Sequence, residues 1–96
     1  MDPTPAISNN PERQRYEIRL GDERVGLLTY RVSDGVMTML HAEIDPAHGG
    51  QGLGTALARG ALEDARSRGL SVRPLCPFVA NLVRREPAAY ADIVVG

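Results

Sequence analysis

Four glycines fall within six residues, Gly49 to Gly54, directly ahead of a segment that can only be helical. In "LGTALARGALEDARSRG", Leu57, Ala61 and Ala65 recur at helical spacing and are flanked by Leu53, Ala58 and Leu62. This is the buried stripe of an amphipathic helix. Arg59, Glu63 and Arg66 form the opposite, solvated stripe, with Arg59–Glu63 and Asp64–Arg68 as candidate i,i+4 pairs. Arg66 and Arg68 suit the last turn, and Gly69 suits the position just past it. Glycine costs conformational entropy, so a cluster of it at the helix start calls for a reason. A helix N-terminus offers four unpaired N–H donors and about half a positive charge. Bare backbone before it lets an anion approach. The competing reading is a tight turn beside a helix that packs close to a sheet, which Ala56, Gly60 and Ala61 also favour.

What precedes the glycines is strand-like. "RYEIRL" alternates, placing Tyr16, Ile18 and Leu20 on one face. "RVGLLTYRV" and "VMTMLHAEID" follow, separated by the turn signal "SDG", so residues 15 to 45 form a three-stranded antiparallel meander. Strict alternation in the third strand sets His41 and Glu43 on the face of Met37 and Met39, opposite Leu40, Ala42 and Ile44. After the helix, "LSVRPLC" is a fourth strand; the strand–helix–strand crossover makes it parallel to a neighbour, and Pro74 interrupts its pairing. "FVANLVRREP" opens a second helix that ends near Pro87, and "AAYADIVVG" is a helical turn or a terminal strand. Residues 1–14, polar and Pro-rich, form a disordered leader to a single domain over 15–96. The class is α+β: an antiparallel meander, then a β-α-β crossover with splayed strands and a C-terminal helix.

The net charge is −1, so no global field attracts nucleic acid or anionic lipid, and any polyanion site has to be local. No 18-residue apolar run and no signal-peptide core occur. Cys76 is the one cysteine. A disulfide-free chain suits a reducing, cytoplasmic setting. The anion class narrows further. A phosphate loop of the nucleotide-hydrolase kind needs a lysine, and the chain has none. A dinucleotide fingerprint needs a third glycine where Leu57 stands. That leaves a phosphate or pyrophosphate held by the N–H groups of Gln51, Gly52, Leu53, Gly54 and Thr55.

The order of elements resembles the GNAT superfamily of acetyl-CoA-dependent acetyltransferases, whose loop reads Q/R-x-x-G-x-G/A. Here Gly52-Leu53-Gly54 matches, and Gly49 stands where Gln or Arg is usual. "HAEIDP", "GQGLGTAL", "PLCPFV" and "REPAAYADIV" resemble the small single-domain YjdJ-type members over about residues 15 to 94. Leu82, Glu86 and an extra alanine before Tyr90 depart from that pattern. The resemblance implies a minimal GNAT fold and acetyl-CoA as cosubstrate, with no metal. It implies a primary amine acceptor, a protein or peptide among the options, on an open face. It also implies a carbonyl-polarising N–H within Ala42–Asp45, Ile44 among the cofactor contacts, and Asn81 near the pantetheine arm.

For the chemistry, His41 and Glu43 precede the loop and are candidate proton acceptors. Cys76 is a candidate nucleophile that would carry the acetyl group transiently, or else a buried structural cysteine. The alternatives to an enzyme are an acyl-CoA-binding module that transfers poorly and a plain dimeric domain. No nucleic-acid or membrane partner is expected, and the chain is a monomer or a weak homodimer.

Overall fold

Tight turns at Gly21–Asp22 and Asp34–Gly35 fold residues 15–44 back on themselves, which dictates antiparallel pairing of sequential strands. The computed structural model describes residues 4–95. Strands β2 (Arg15–Leu20), β3 (Glu23–Ser33) and β4 (Val36–Ile44) form the expected meander. A further strand, β1 (Ala6–Asn10), pairs antiparallel with the outer edge of β2. Helix α1 (Leu53–Ser67) then crosses the sheet and returns the chain as β5 (Ser71–Pro74), parallel to β4. The five-stranded sheet runs in the order β1-β2-β3-β4-β5. Helices α2 (Pro77–Arg85) and α3 (Pro87–Tyr90) complete the α+β fold.

Strand β1 corrects the reading of residues 6–14 as a disordered leader; residues 1–3 of that leader lie outside the described residues. The correction has two physical sources. Ile7 seats its side chain on Gly60 of α1, where a Cβ would come within 2.8 Å of it. Asn10 then holds the turn into β2, its side-chain Oδ1 accepting from the N–H of Arg13 at 3.3 Å. Polar composition hid a strand whose hydrogen bonds are mainly to backbone.

The core is the single layer between the sheet and the helices. Ile18, Leu28, Met37 and Met39 from the sheet meet Leu57, Ala61, Leu62 and Ala65 from α1, all essentially inaccessible. The buried stripe of α1 is the one its spacing predicts. Its end is also as expected: Leu70 N–H returns to Ala65 O at 3.0 Å, past Gly69. The Tyr16 hydroxyl donates to Asp64 Oδ2 at 2.7 Å, tying β2 to α1. Burial, then the Asp64 carboxylate, hold that phenol protonated well above the ordinary tyrosine range.

The outer stripe of α1 is not simply solvated. Arg59 forks onto Glu86 at 2.8 and 3.0 Å instead of pairing with Glu63. Arg66 reaches Asp92 as well as Glu63, with its guanidinium over the Tyr90 ring. Both ties draw the C-terminal segment against α1. There Val95 N–H donates to Val72 O at 2.9 Å, so "AAYADIV" is a helical turn followed by an extended bridge to β5. Among the described residues, no helix is long and apolar enough to cross a membrane.

Candidate active site

The site begins where β4 and β5 part. Their pairing runs from Val36↔Ser71 to Met39↔Pro74 and stops. Pro74 has no N–H to continue it. The next two N–H groups, of Leu75 and Cys76, both donate to Met39 O at 3.1 and 2.9 Å. The chain then turns into α2, while β4 continues to Ile44. Asp45 N–H donates to Val25 O on β3. By strand alternation the N–H groups of Ala42 and Ile44 therefore point away from β3, into the gap.

The glycine loop closes one end of this gap. Asp45 Oδ1 accepts from Ala47 N–H at 3.0 Å, and His48 Nε2 lies 3.5 Å from Glu23 Oε2. These contacts pin the loop's entry to β3. Gly52 caps α1 with φ +75°, a left-handed conformation, and a Cβ there would meet nothing within 4 Å. Its carbonyl accepts the first helical bond, from Ala56 N–H at 3.1 Å. No side-chain cap and no acidic first-turn residue among the described residues satisfies the donors at this end. The N–H groups of Leu53, Gly54 and Thr55 have no intrahelical partner. An uncapped, unshielded helix start fits a phosphate or pyrophosphate. Gly54 has a second duty: a Cβ there would come within 2.4 Å of the Phe78 ring. Its bare backbone thus seats α2 against α1. Phe78 is a residue that sequence reasoning passed over, although "PLCPFV" contains it.

The face assigned to His41 and Glu43 is corrected by a bulge. Tyr30 pairs with Met39 and Thr29 with His41, so Leu40 is an extra residue in β4. Beyond it the alternation reverses. Ala42 and Ile44 join Met37 and Met39 against the core, and His41 and Glu43 turn to the open face. There they meet, His41 Nε2 lying 3.3 Å from Glu43 Oε1, with both side chains mostly exposed. The signal was present in the sequence. Met39 and Ala42 are three apart, an odd spacing for one face of an unbroken strand.

The other candidates are dispersed. Cys76 is fully buried at the N-cap of α2, among core residues. Asn81 is exposed on α2. Tyr90 is buried, its hydroxyl accepting from Arg59 at 3.3 Å. Glu86, a departure from the resembled pattern, is the carboxylate that Arg59 holds, and that bond keeps its carboxyl below the usual range.

A family model for GCN5-related N-acetyl-transferases matches residues 15–93. No curated protein matches the chain significantly. Among solved structures, the NMR structure of a GCN5-like protein from Staphylococcus aureus aligns with a TM-score of 0.68 at 25% identity, covering 95% of this chain and 88% of that one. The crystal structure of the ribosomal-protein-S18-alanine N-acetyltransferase from Escherichia coli aligns at 0.61 and 17% identity, covering 83% of this chain and 54% of that one. The second likeness speaks to fold alone.

Proposed function

The chain belongs to the GCN5-related N-acetyltransferase family, and from that premise we propose that it transfers acetyl from acetyl-CoA to a primary amine at the gap between β4 and β5. The observation that carries this reading is the uncapped start of α1 beside Gly52, with the N–H groups of Ala42 and Ile44 pointing away from β3 past the last β4–β5 pairing. We further propose that it is a small YjdJ-type member, a single cytoplasmic domain that includes β1 and works as a monomer or weak homodimer.

Acetyl-CoA supplies an acetyl group already activated as a thioester. The chain's residues do the rest. The N–H groups of Gln51 to Thr55 hold the pyrophosphate, with the Thr55 hydroxyl in reach of the same end. Along the gap, Ile44 N–H and Asn81 hold the pantetheine arm, and Ala42 N–H polarises the carbonyl. As the amine nitrogen bonds to the carbonyl carbon, the carbon–sulfur bond breaks. The amine gives up a proton and the departing sulfur takes one from solvent. A lysine-like amine is neutral only about once in 2,500 molecules at pH 7, a deficit of about 4.6 kcal/mol. The His41–Glu43 pair on the open face serves as proton acceptor, Glu43 orienting the imidazole. Burial of Cys76 favours direct attack by the amine over an acetyl-cysteine route.

The test pairs binding with turnover. Acetyl-CoA and desulfo-CoA both raise the melting temperature, and a panel of peptides and polyamines yields free thiol with a +42 Da acceptor product (the mass of one acetyl group). No shift with either ligand at millimolar concentration refutes the reading. A shift without thiol release leaves a binding module.

A further inference from the structure

Arg31, Thr38 and Arg73 stand side by side across three strands. Arg31 pairs with Thr38 on β4, and Thr38 with Arg73 on β5. Each lies next to a buried residue (Tyr30, Met37 or Val72), so all three face away from the helices, as His41 and Glu43 do. Adjacent strands are ~4.8 Å apart, so the row spans about 10 Å. The three side chains line a cavity of about 470 Å³, with Asp34 at the hairpin end and Leu40 at the other.

Arg15 and Arg19 are held by Glu17, Arg59 by Glu86, Arg66 by Asp92 and Arg68 by Asp64. Arg31 and Arg73 have no carboxylate partner among the described residues. Arg13, Arg24, Arg84 and Arg85 also lack a carboxylate partner among the described residues; Arg31 and Arg73 differ in standing on either side of one hydroxyl in one cavity. Arg73 makes only a long bond to the Thr38 hydroxyl, at 3.5 Å. Two free guanidiniums flanking a hydroxyl are donors set for a carboxylate. Leu40, partly exposed, is the bulge residue just past the last β4–β5 pairing, so the cavity ends at the gap. Thr38 to Leu40 is two residues, about 6–7 Å of strand. The walls are exposed side chains on a sheet face, which suits an extended chain laid across them better than a small molecule that needs enclosure.

We propose that this cleft docks an acidic peptide as the amine acceptor, with Arg31 and Arg73 gripping a carboxylate one or two residues from the reacting amine. The inference rests on the acceptor site proposed at the β4–β5 gap, and binding is measured apart from transfer. The probes are a C-terminally labelled peptide beginning Ala-Glu-Glu-Ala and its Ala-Gln-Gln-Ala counterpart, read by fluorescence anisotropy. The acidic peptide binds wild type at least about tenfold tighter, the scale of one charge-assisted hydrogen bond. Arg31→Gln with Arg73→Gln abolishes that difference without altering the melting temperature. Acetylation of the acidic peptide by acetyl-CoA follows the same ratio in kcat/KM.

Equal binding of the two peptides overturns the proposal, as does a preference that survives in the double variant. So does displacement of the acidic peptide by a short oligonucleotide at lower concentration. Acidic-selective binding with no acetylation of any acceptor supports the docking cleft and refutes the transferase reading.

Discussion

The N–H of Cys76 donates to the carbonyl oxygen of Met39 at 2.9 Å, and there β4 makes its final backbone bond to the β5 segment. The groups assigned to acetyl-CoA and to proton transfer all lie past that bond. The gap exists because Pro74 cannot donate and the chain turns at once into α2. The bulge at Leu40, one residue further on, decides what the gap presents on each face.

Deleting Leu40 tests this directly. Leu40 is the residue without a partner on β3, so its removal joins Met39↔Tyr30 to His41↔Thr29 as one regular ladder. His41 and Glu43 keep the open face, and Ala42 and Ile44 keep the core. The deletion variant is expected to retain a cooperative thermal transition by circular dichroism. Loss of that transition would show that the facing of the two side chains does not follow from one extra residue at Leu40.

Gly52 and Gly54 separate by their neighbours. Gly52→Ala meets no atom but must hold φ at +75°, which costs about 1–2 kcal/mol. It should lower the melting temperature and acetyl-CoA affinity together. Gly54→Ala meets the Phe78 ring, which is partly exposed and can swing outward. Its effect should appear as displacement of Phe78 in NMR spectra, with a smaller loss of stability.

Cys76→Ala should retain acetyl transfer. The thiol is inaccessible, and its removal costs about 1 kcal/mol of packing. Loss of kcat at unchanged fold would restore the acetyl-cysteine route.

Glu17 gives the acid limit of stability. This buried carboxylate accepts from Arg15 at 2.8 Å, Arg19 at 3.0 Å and Asn10 at 3.3 Å. The Arg15 bond, ahead of those from Asn10 and Arg19, holds its carboxyl below the usual range despite burial. Its contribution is therefore complete above the ordinary glutamate value, about 4.3. It is lost as pH falls through the lower folded-state value. Denaturant titrations of wild type and Glu17→Gln should show their stability difference shrinking over that acid window. A difference independent of pH would place the role of Glu17 in packing.

Several features were legible in the sequence because a local rule carried them. Leu57, Ala61 and Ala65 gave the helix face, "SDG" gave the hairpin and Pro74 gave the end of pairing. What was hidden depended on partners distant in sequence. Ile7 on Gly60 made a strand of a polar segment. Glu86 took Arg59 from its helical neighbour Glu63. Glu17 was invisible because alternation places it on an outer face, and only the two flanking arginines let it be buried. The turn into α1 was read from its glycines. The facing of His41 and Glu43 was misread because one inserted residue reverses every side chain after it.

The central claim is that acetyl-CoA lies with its phosphates on the start of α1 and its thioester in the β4–β5 gap. The most direct measurement is an amide NMR titration of the chain with acetyl-CoA. The account predicts the largest shifts at the N–H groups of Gln51 to Thr55, together with Ala42 and Ile44. Unchanged amides at those positions at millimolar acetyl-CoA, or shifts confined elsewhere, would contradict it.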